Sequence, residues 1–280
     1  MTATQPDTAQ PDSSRFDDAL IGAGLLAGGA NVIMQLSWPG VGYGVVESKV
    51  ESGNVFKGPF KRTRTTLTYL AVATMGTEEE KKKYRLAVNK SHAQVRSTET
   101  SPVQYNAFDP QLQLWVAACL YKGFEDVYRY LVPGRMDDET ADRFYAAAAP
   151  LGTTLQVKPE MWPADRAAFE EYWTRSLEQV SIDGTVREYL YGIATVRFLP
   201  KLLYLPLRGI NKFVTTGFLP PEFREQMRLP WSDRDQRRFE KLMHAHAVVI
   251  KRMPRALRQF PYNLCMWDLR RRLRTGRPLV

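Results

Sequence analysis

An all-α fold, one multi-helix domain, is what this chain of 280 residues predicts. Recurrent helix-start signals, apolar residues at three- and four-residue steps, and a scarcity of strand signals point to it. No alternating β-branched run is paired with an Asn-Gly or Asp-Gly turn. Short pieces such as Gln156–Val157 offer at most a weak pairing. The helices are too short and too often broken for a coiled coil, and no internal repeat is visible.

Each element can be justified in order. Residues 1–17 read as a disordered leader, rich in Thr, Gln, Pro, Asp and Ser. The domain then runs over 18–280. Ala19 to Gln35 is small, apolar and glycine-bearing, a helix that stops before Pro39. Gly40, Gly42 and Gly44 then predict a loosened backbone. Lys61 to Met75 forms a helix stopped at Gly76. Thr77 and Glu80 make a capping-box pair that opens a helix to about Arg96. Asp109-Pro110 starts the next, to about Tyr130, with Pro at the first position. Asp137 to Ala149, Asp165 to Val180 and Asp183 to Arg197 follow. Leu199 to Lys212 is apolar but broken by Pro200 and Pro206. Pro220-Pro221 leads into Glu222–Met227. Ser232 to Arg258 is the longest helix, bent at Pro254, and Pro261 to Arg274 closes the chain.

Composition bounds the function. With 44% hydrophobic residues the chain can bury a sizeable core. No uncharged apolar run reaches the roughly 18 residues of a spanning helix, and the N-terminus lacks a secretion signal. Two cysteines, Cys119 and Cys265, exclude a disulfide framework or a cysteine-based zinc site. A cytoplasmic protein is expected. The net charge of +9 is concentrated at the end. Residues 251–280 carry nine Lys or Arg against Asp268 alone. Without a recognition motif, no nucleic-acid partner is expected. A solvated helix packed on the body through Leu264, Trp267 and Leu273 is the plain reading, and weak contact with an anionic membrane surface is the alternative.

Four groups of residues are candidate sites on spacing. Gly22-Ala-Gly24 through Gly28-Gly29 echoes a dinucleotide loop, but no strand precedes it, so close packing through small residues is favoured. His244 and His246, two apart on one helix, point about 200° apart and cannot share a metal. His92 differs. Tyr84, Val88, His92 and Val95 fall on one helix face while Lys and Arg fill the others, so the imidazole faces inward. A hydrogen-bonded core histidine is the default reading for such a ring, and a ligand role is the alternative. Arg62, Thr65 and Thr66, at i, i+3 and i+4, meet near one face. A buried Arg needs an anion, and the hydroxyls can bond oxygen. An exposed Arg beside filler threonines is the competing reading.

The segments LAGGANVIMQLSWPGVGYGVVES, KRTRTTLTYLAVATMGTEEE and SHAQVRSTETSPVQYNAFDPQLQLWVAACL, in that order and spacing, resemble the mpaB-like oxygenases. That family shares its catalytic domain with the latex clearing proteins, or rubber oxygenases. The resemblance covers roughly residues 18 to 265. It implies a b-type haem in a distantly globin-like fold with a haem-sized pocket. It makes His92 the proximal iron ligand, puts Arg62 and Thr66 in the pocket beside Thr65, and maps a candidate base to Glu47. Leu67, Leu70, Trp115, Phe108 and Leu114 are expected to form the apolar slot. The implied activity is oxidation of a hydrophobic small molecule, lipid or isoprenoid-like, with O2. The chain departs from the family pattern at several positions. Thr65 stands where rubber oxygenases carry a lysine, Trp38-Pro39 where many members have His-Pro, Ala117 where a second histidine occurs, and Ser97 where a glycine often follows. A haem-free helical protein that binds a lipid or partner is the alternative these departures permit.

Overall fold

The computed structural model describes residues 21–50, 54–132 and 136–280. The leader expected over 1–17 lies outside the described residues. Those that are described form a single helical domain with no β-strand. One isolated bridge, Arg96 to Asn106, is the only β-type pairing among them, and Gln156 pairs through its side chain instead.

A short 3₁₀ helix, Gly22–Ala27, leads into α1, Gly28–Leu36. The rest run in order: α2 Pro39–Val46, α3 Pro59–Met75, α4 Glu78–His92, α5 Pro110–Leu131, α6 Asp138–Ala148 and the single turn α7 Pro150–Thr153. There follow α8 Arg166–Leu177, α9 Gly184–Ala194, α10 Lys201–Phe218, α11 Pro221–Gln226, α12 Asp233–Arg252, the turn α13 Arg255–Arg258 and α14 Tyr262–Thr275.

Caps set most of the starts. Asp109, Asp137, Asp165 and Asp183 each accept a backbone N–H of the first turn. Thr77 with Glu80 and Ser232 with Asp235 form full capping boxes. Such caps satisfy donors that the helix itself leaves unpaired. Three expectations need correction. The glycine triplet is not loose: it lies within α2, started by Pro39 at its first position. Its glycines allow close approach, for a Cβ at Gly42 would lie 2.7 Å from the Leu36 carbonyl oxygen. The apolar stretch around Pro206 is not broken but continuous through α10. Its first ten residues are largely exposed, so the carbonyl that the proline ring leaves unpaired is open to solvent. The long C-terminal helix ends at Arg252.

The core sits around α5, which buries Leu114, Trp115, Ala118, Cys119 and Phe124 among others. Trp115 is its centre, stacked on Trp38 at 4.9 Å and on Trp173 at 5.1 Å between ring centroids. The C-terminal helix α14 packs along α3. It does so through Tyr262, Cys265, Met266 and Leu269, whereas Leu264 and Trp267 are exposed. Part of its positive charge is absorbed by ion pairs, Arg270 to Glu80 at 2.8 Å and Arg272 to Asp268 at 2.6 Å.

One carboxylate on α5 is held out of register with its solvent chemistry. Burial, then the neighbouring Glu125, raises the Asp126 pKa to about 7. The ionised form is therefore disfavoured in the folded state. Stability from this group is present at acid pH and is lost as pH rises from the unfolded value near 4 through about 7. Asp126→Asn is expected to stabilise the protein at pH 8 by on the order of 3 kcal/mol, the gain shrinking toward pH 5. Urea denaturation at the two pH values checks this, and a pH-independent difference would count against it.

Candidate active site

Two cavities meet inside the bundle. The smaller, 260 Å³, is walled by α2, α3, α4, α5 and the segment after α4. The larger, 370 Å³, lies between the 3₁₀ helix, α1, α3, α5, α9 and α10. They share Gln35, Leu36, Val45, Arg62, Thr66, Leu70 and Leu120, which form a common wall. Together they fall within the roughly 300–1,000 Å³ of small-molecule sites.

His92 is the last residue of α4 and lines the smaller cavity. Tyr84 and Val88, two earlier residues of the same face, are buried and seat the helix. The Tyr84 hydroxyl donates to the Thr65 carbonyl at 2.8 Å, tying α4 to α3 where the site residues lie. The phenyl ring of Phe108 stands edge-on to the imidazole at 6.3 Å. His92 Nδ1 is buried without a hydrogen-bond partner among the described residues. Burial, then the charge of Arg62, lowers the pKa of His92 to about 4. The imidazole is thus neutral at physiological pH, the form that ligates metal.

Arg62 and Thr66, one helical turn apart on α3, both line both cavities. Burial lowers the pKa of Arg62 from its ordinary value, and no carboxylate pairs with it among the described residues. A desolvated guanidinium of this kind favours an anionic or oxygen-bearing guest. Thr65 lines the smaller cavity only, and its hydroxyl donates to the Lys61 carbonyl at 2.9 Å.

Other candidates fall elsewhere. Glu47 does not line either cavity. It follows the end of α2 with its side chain turned outward, where it accepts from Ser101 and Tyr105, both at 2.7 Å. Leu67 and Leu70 line the cavities, but Trp115 and Leu114 belong to the core behind them. Gly24, Gly28 and Gly29 also border the larger cavity, on helical backbone. His244 is exposed, and His246 Nδ1 is 2.8 Å from the Leu242 carbonyl oxygen. No cluster of metal-ligating side chains of three or more occurs among the described residues. A single axial imidazole is the donor set that a porphyrin iron needs from the protein.

Sequence reasoning missed Gln35, Tyr69, Tyr105 and Leu120. In the sequence Gln35 marks only the end of a helix. Its amide donates to Asn31 at 2.5 Å, and Asn31 in turn donates to the Cys119 carbonyl at 2.6 Å. Tyr69 is fixed by donation to the Leu151 carbonyl at 2.6 Å. Gln113, on the wall near His92, donates to the Ala107 carbonyl and to Gln156. Gln35, Tyr69 and Gln113 are thus held in place by bonds of their own, unlike His92 Nδ1.

Comparison with known families decides the kinship. Residues 19–248 match the family described as "ER-bound oxygenase mpaB/B'/Rubber oxygenase, catalytic domain". The chain belongs to this oxygenase family. Two curated mycobacterial relatives, the uncharacterized protein Rv2237 of Mycobacterium tuberculosis and the uncharacterized protein Mb2261 of Mycobacterium bovis, are each 56% identical over 256 residues. The alignment spans 91% of this chain and 100% of each relative. No solved structure matches the chain.

Two positions of this chain are taken up by packing. Trp38 is buried, stacks on Trp115 and donates its indole N–H to the Ser176 carbonyl at 3.0 Å. Ala117 sits against Gly152, whose Cβ would lie 3.1 Å from it. Both side chains make core contacts, and His92 is the histidine that lines a cavity.

Proposed function

We propose that this member of the oxygenase family is a haem b-dependent enzyme that oxidises a hydrophobic small molecule, with His92 as the proximal iron ligand. The observation that carries the reading is the buried, unpartnered Nδ1 of a neutral imidazole facing a cavity shared with a desolvated arginine. When bound, haem supplies a redox-active iron that activates O2.

The chain's own residues supply the remainder. His92 offers a neutral imidazole from the end of a capped helix. Arg62 donates hydrogen bonds toward a propionate or an oxygen atom, and Thr66, one turn later, adds a hydroxyl on the same wall. Thr65 borders the pocket but spends its hydroxyl on the backbone. The larger cavity, walled in part by Leu25, Leu67, Val127, Ile193 and Phe198, suits an apolar substrate, lipid or isoprenoid-like.

Titrating the protein with hemin and recording its visible spectrum tests the proposal. A saturable Soret band is expected. A featureless titration would select the haem-free lipid-binding reading instead. Arg62→Met separates function from structure further. The ligand-free variant is expected to be more stable by about 1–2 kcal/mol, because a desolvated cation without a partner is removed. Its hemin affinity is expected to fall. Denaturant midpoints and the hemin titration measure both, and a destabilised variant with unchanged affinity would mark Arg62 as structural.

A further inference from the structure

The leading half of α10 stands out from the bundle. Leu202 is 89% exposed, and Leu203, Leu205, Leu207 and Ile210 are between 42% and 55% exposed. The same helix is buried only from Val214 onward. A ten-residue helical projection lacks intrinsic stability in water, and helices of this length take their stability from what covers their apolar face. Contiguous exposed leucines of this kind mark an interaction surface.

Its side chains are sorted. At about 100° per residue, Leu202, Leu203, Leu205, Leu207 and Ile210 fall within one arc of roughly 200°. Lys201, Arg208 and Lys212 cluster within roughly 40° on the other side. A broad apolar arc bordered on one edge by cations, on a helix without an acidic residue, is the pattern of a helix lying in a bilayer interface, where the arc enters the acyl region and the cations meet phosphates. A protein groove would cover a narrower stripe. Exposed apolar side chains recur on α12, which packs against α10, and just after it: Val248, Val249, Met253, Leu257 and Phe260, with Lys251 and Arg252 among them in sequence.

The position of this face matters for the site. α10 packs against the 3₁₀ helix Gly22–Ala27. The backbone of Phe260 abuts Gly22, where a Cβ would lie 1.9 Å from the Phe260 carbonyl oxygen. The larger cavity is bordered by Leu25, itself 46% exposed, and by Asn211 of α10 and Phe198 just before it. We infer that the first half of α10 inserts into an anionic lipid surface, and that the larger cavity opens beside it to take an apolar substrate directly from the bilayer. The second clause rests on the proposed oxygenase reading; the first does not.

Co-sedimentation of the protein as purified with phosphatidylcholine vesicles containing phosphatidylglycerol tests the docking. Binding that weakens with added salt is expected. The double variant Leu202→Glu/Leu205→Glu is expected to bind at least about tenfold more weakly while unfolding at the wild-type temperature. A dye sensitive to polarity, attached at Leu205→Cys, is expected to shift to the blue on vesicles. Arg274→Glu, on the C-terminal helix, is expected to bind as wild type. Absent binding, binding indifferent to the glutamates, or loss with Arg274→Glu alone would overturn the inference. So would a dimer that the glutamates dissociate without any vesicle binding, because it makes a second copy the occupant. None of these outcomes depends on haem, so the spectrum and the vesicles fail independently.

Discussion

Replacing His92 by alanine is expected to abolish the Soret band of the hemin-loaded protein while leaving its helical content intact. The expectation follows from position and chemistry together. The chain has three histidines. His244 is exposed on α12 and the ring of His246 is engaged at the Leu242 carbonyl, so only His92 offers an imidazole to the cavities. Its ring is kept neutral by burial and by Arg62, with a pKa of about 4, so no proton competes with a metal at neutral pH. Losing an outer partner of a metal ligand typically costs 10–100-fold (roughly) in affinity, and losing the ligand itself should exceed that. The fold should tolerate the change. The imidazole has a buried nitrogen without a partner, so its removal takes away an unsatisfied group as well as some packing. Added imidazole is expected to restore part of the band by occupying the space the alanine leaves. Hemin titrations with and without imidazole, alongside circular dichroism, check the set. A band that survives in His92→Ala would sink the ligand assignment.

Much of this architecture can be read from the chain because its helices announce themselves chemically. A capping aspartate, serine or threonine is a local signal that needs no tertiary context, and the starts at Asp109, Asp137, Asp165, Asp183 and Ser232 are visible for that reason. The glycines of α2 mislead because glycine has two uses. Propensity treats it as a helix breaker, whereas here it lets α2 approach the Leu36 carbonyl and Val186. Pro206 misleads for a related reason, since an exposed helix can leave one carbonyl to water. The site divides in the same way. His92, Arg62 and Thr66 each lie on a short helix stretch whose spacing is legible. Tyr69 shares the Arg62–Thr66 face of α3 at the same legible spacing, whereas Gln35 and Leu120 come from α1 and α5 and join the site only through packing, which no local pattern encodes. Glu47 illustrates the limit. Its place in a motif suggests a pocket base, but its position just past the end of α2 leaves the carboxylate exposed, where it accepts from Ser101 and from the hydroxyl of the cavity-wall residue Tyr105.

Trp115→Ala is the change expected to cost the most stability. The indole is 0% exposed. It lies between Trp38 at 4.9 Å and 5° and Trp173 at 5.1 Å and 19°, with Phe223 at 6.5 Å. Truncating a buried aromatic to alanine costs about 3–5 kcal/mol through lost transfer energy and the cavity left behind. Each stacked pair adds about 0.5–1.5 kcal/mol beyond burial. Against a typical total of about 5–15 kcal/mol, the variant should lie at the edge of folding, with a large drop in its urea midpoint. Trp115→Phe separates packing from hydrogen bonding. It keeps most of the stack but removes the indole N–H that donates to the Gln35 carbonyl at 3.1 Å. That bond anchors the end of α1, and the Gln35 side chain stands on the wall common to both cavities. The phenylalanine variant is therefore expected to lose only about 1–2 kcal/mol yet to bind hemin more weakly than its stability alone would explain. Equal hemin affinity in Trp115→Phe and wild type would show that the core and the cavity wall are not mechanically linked through this indole.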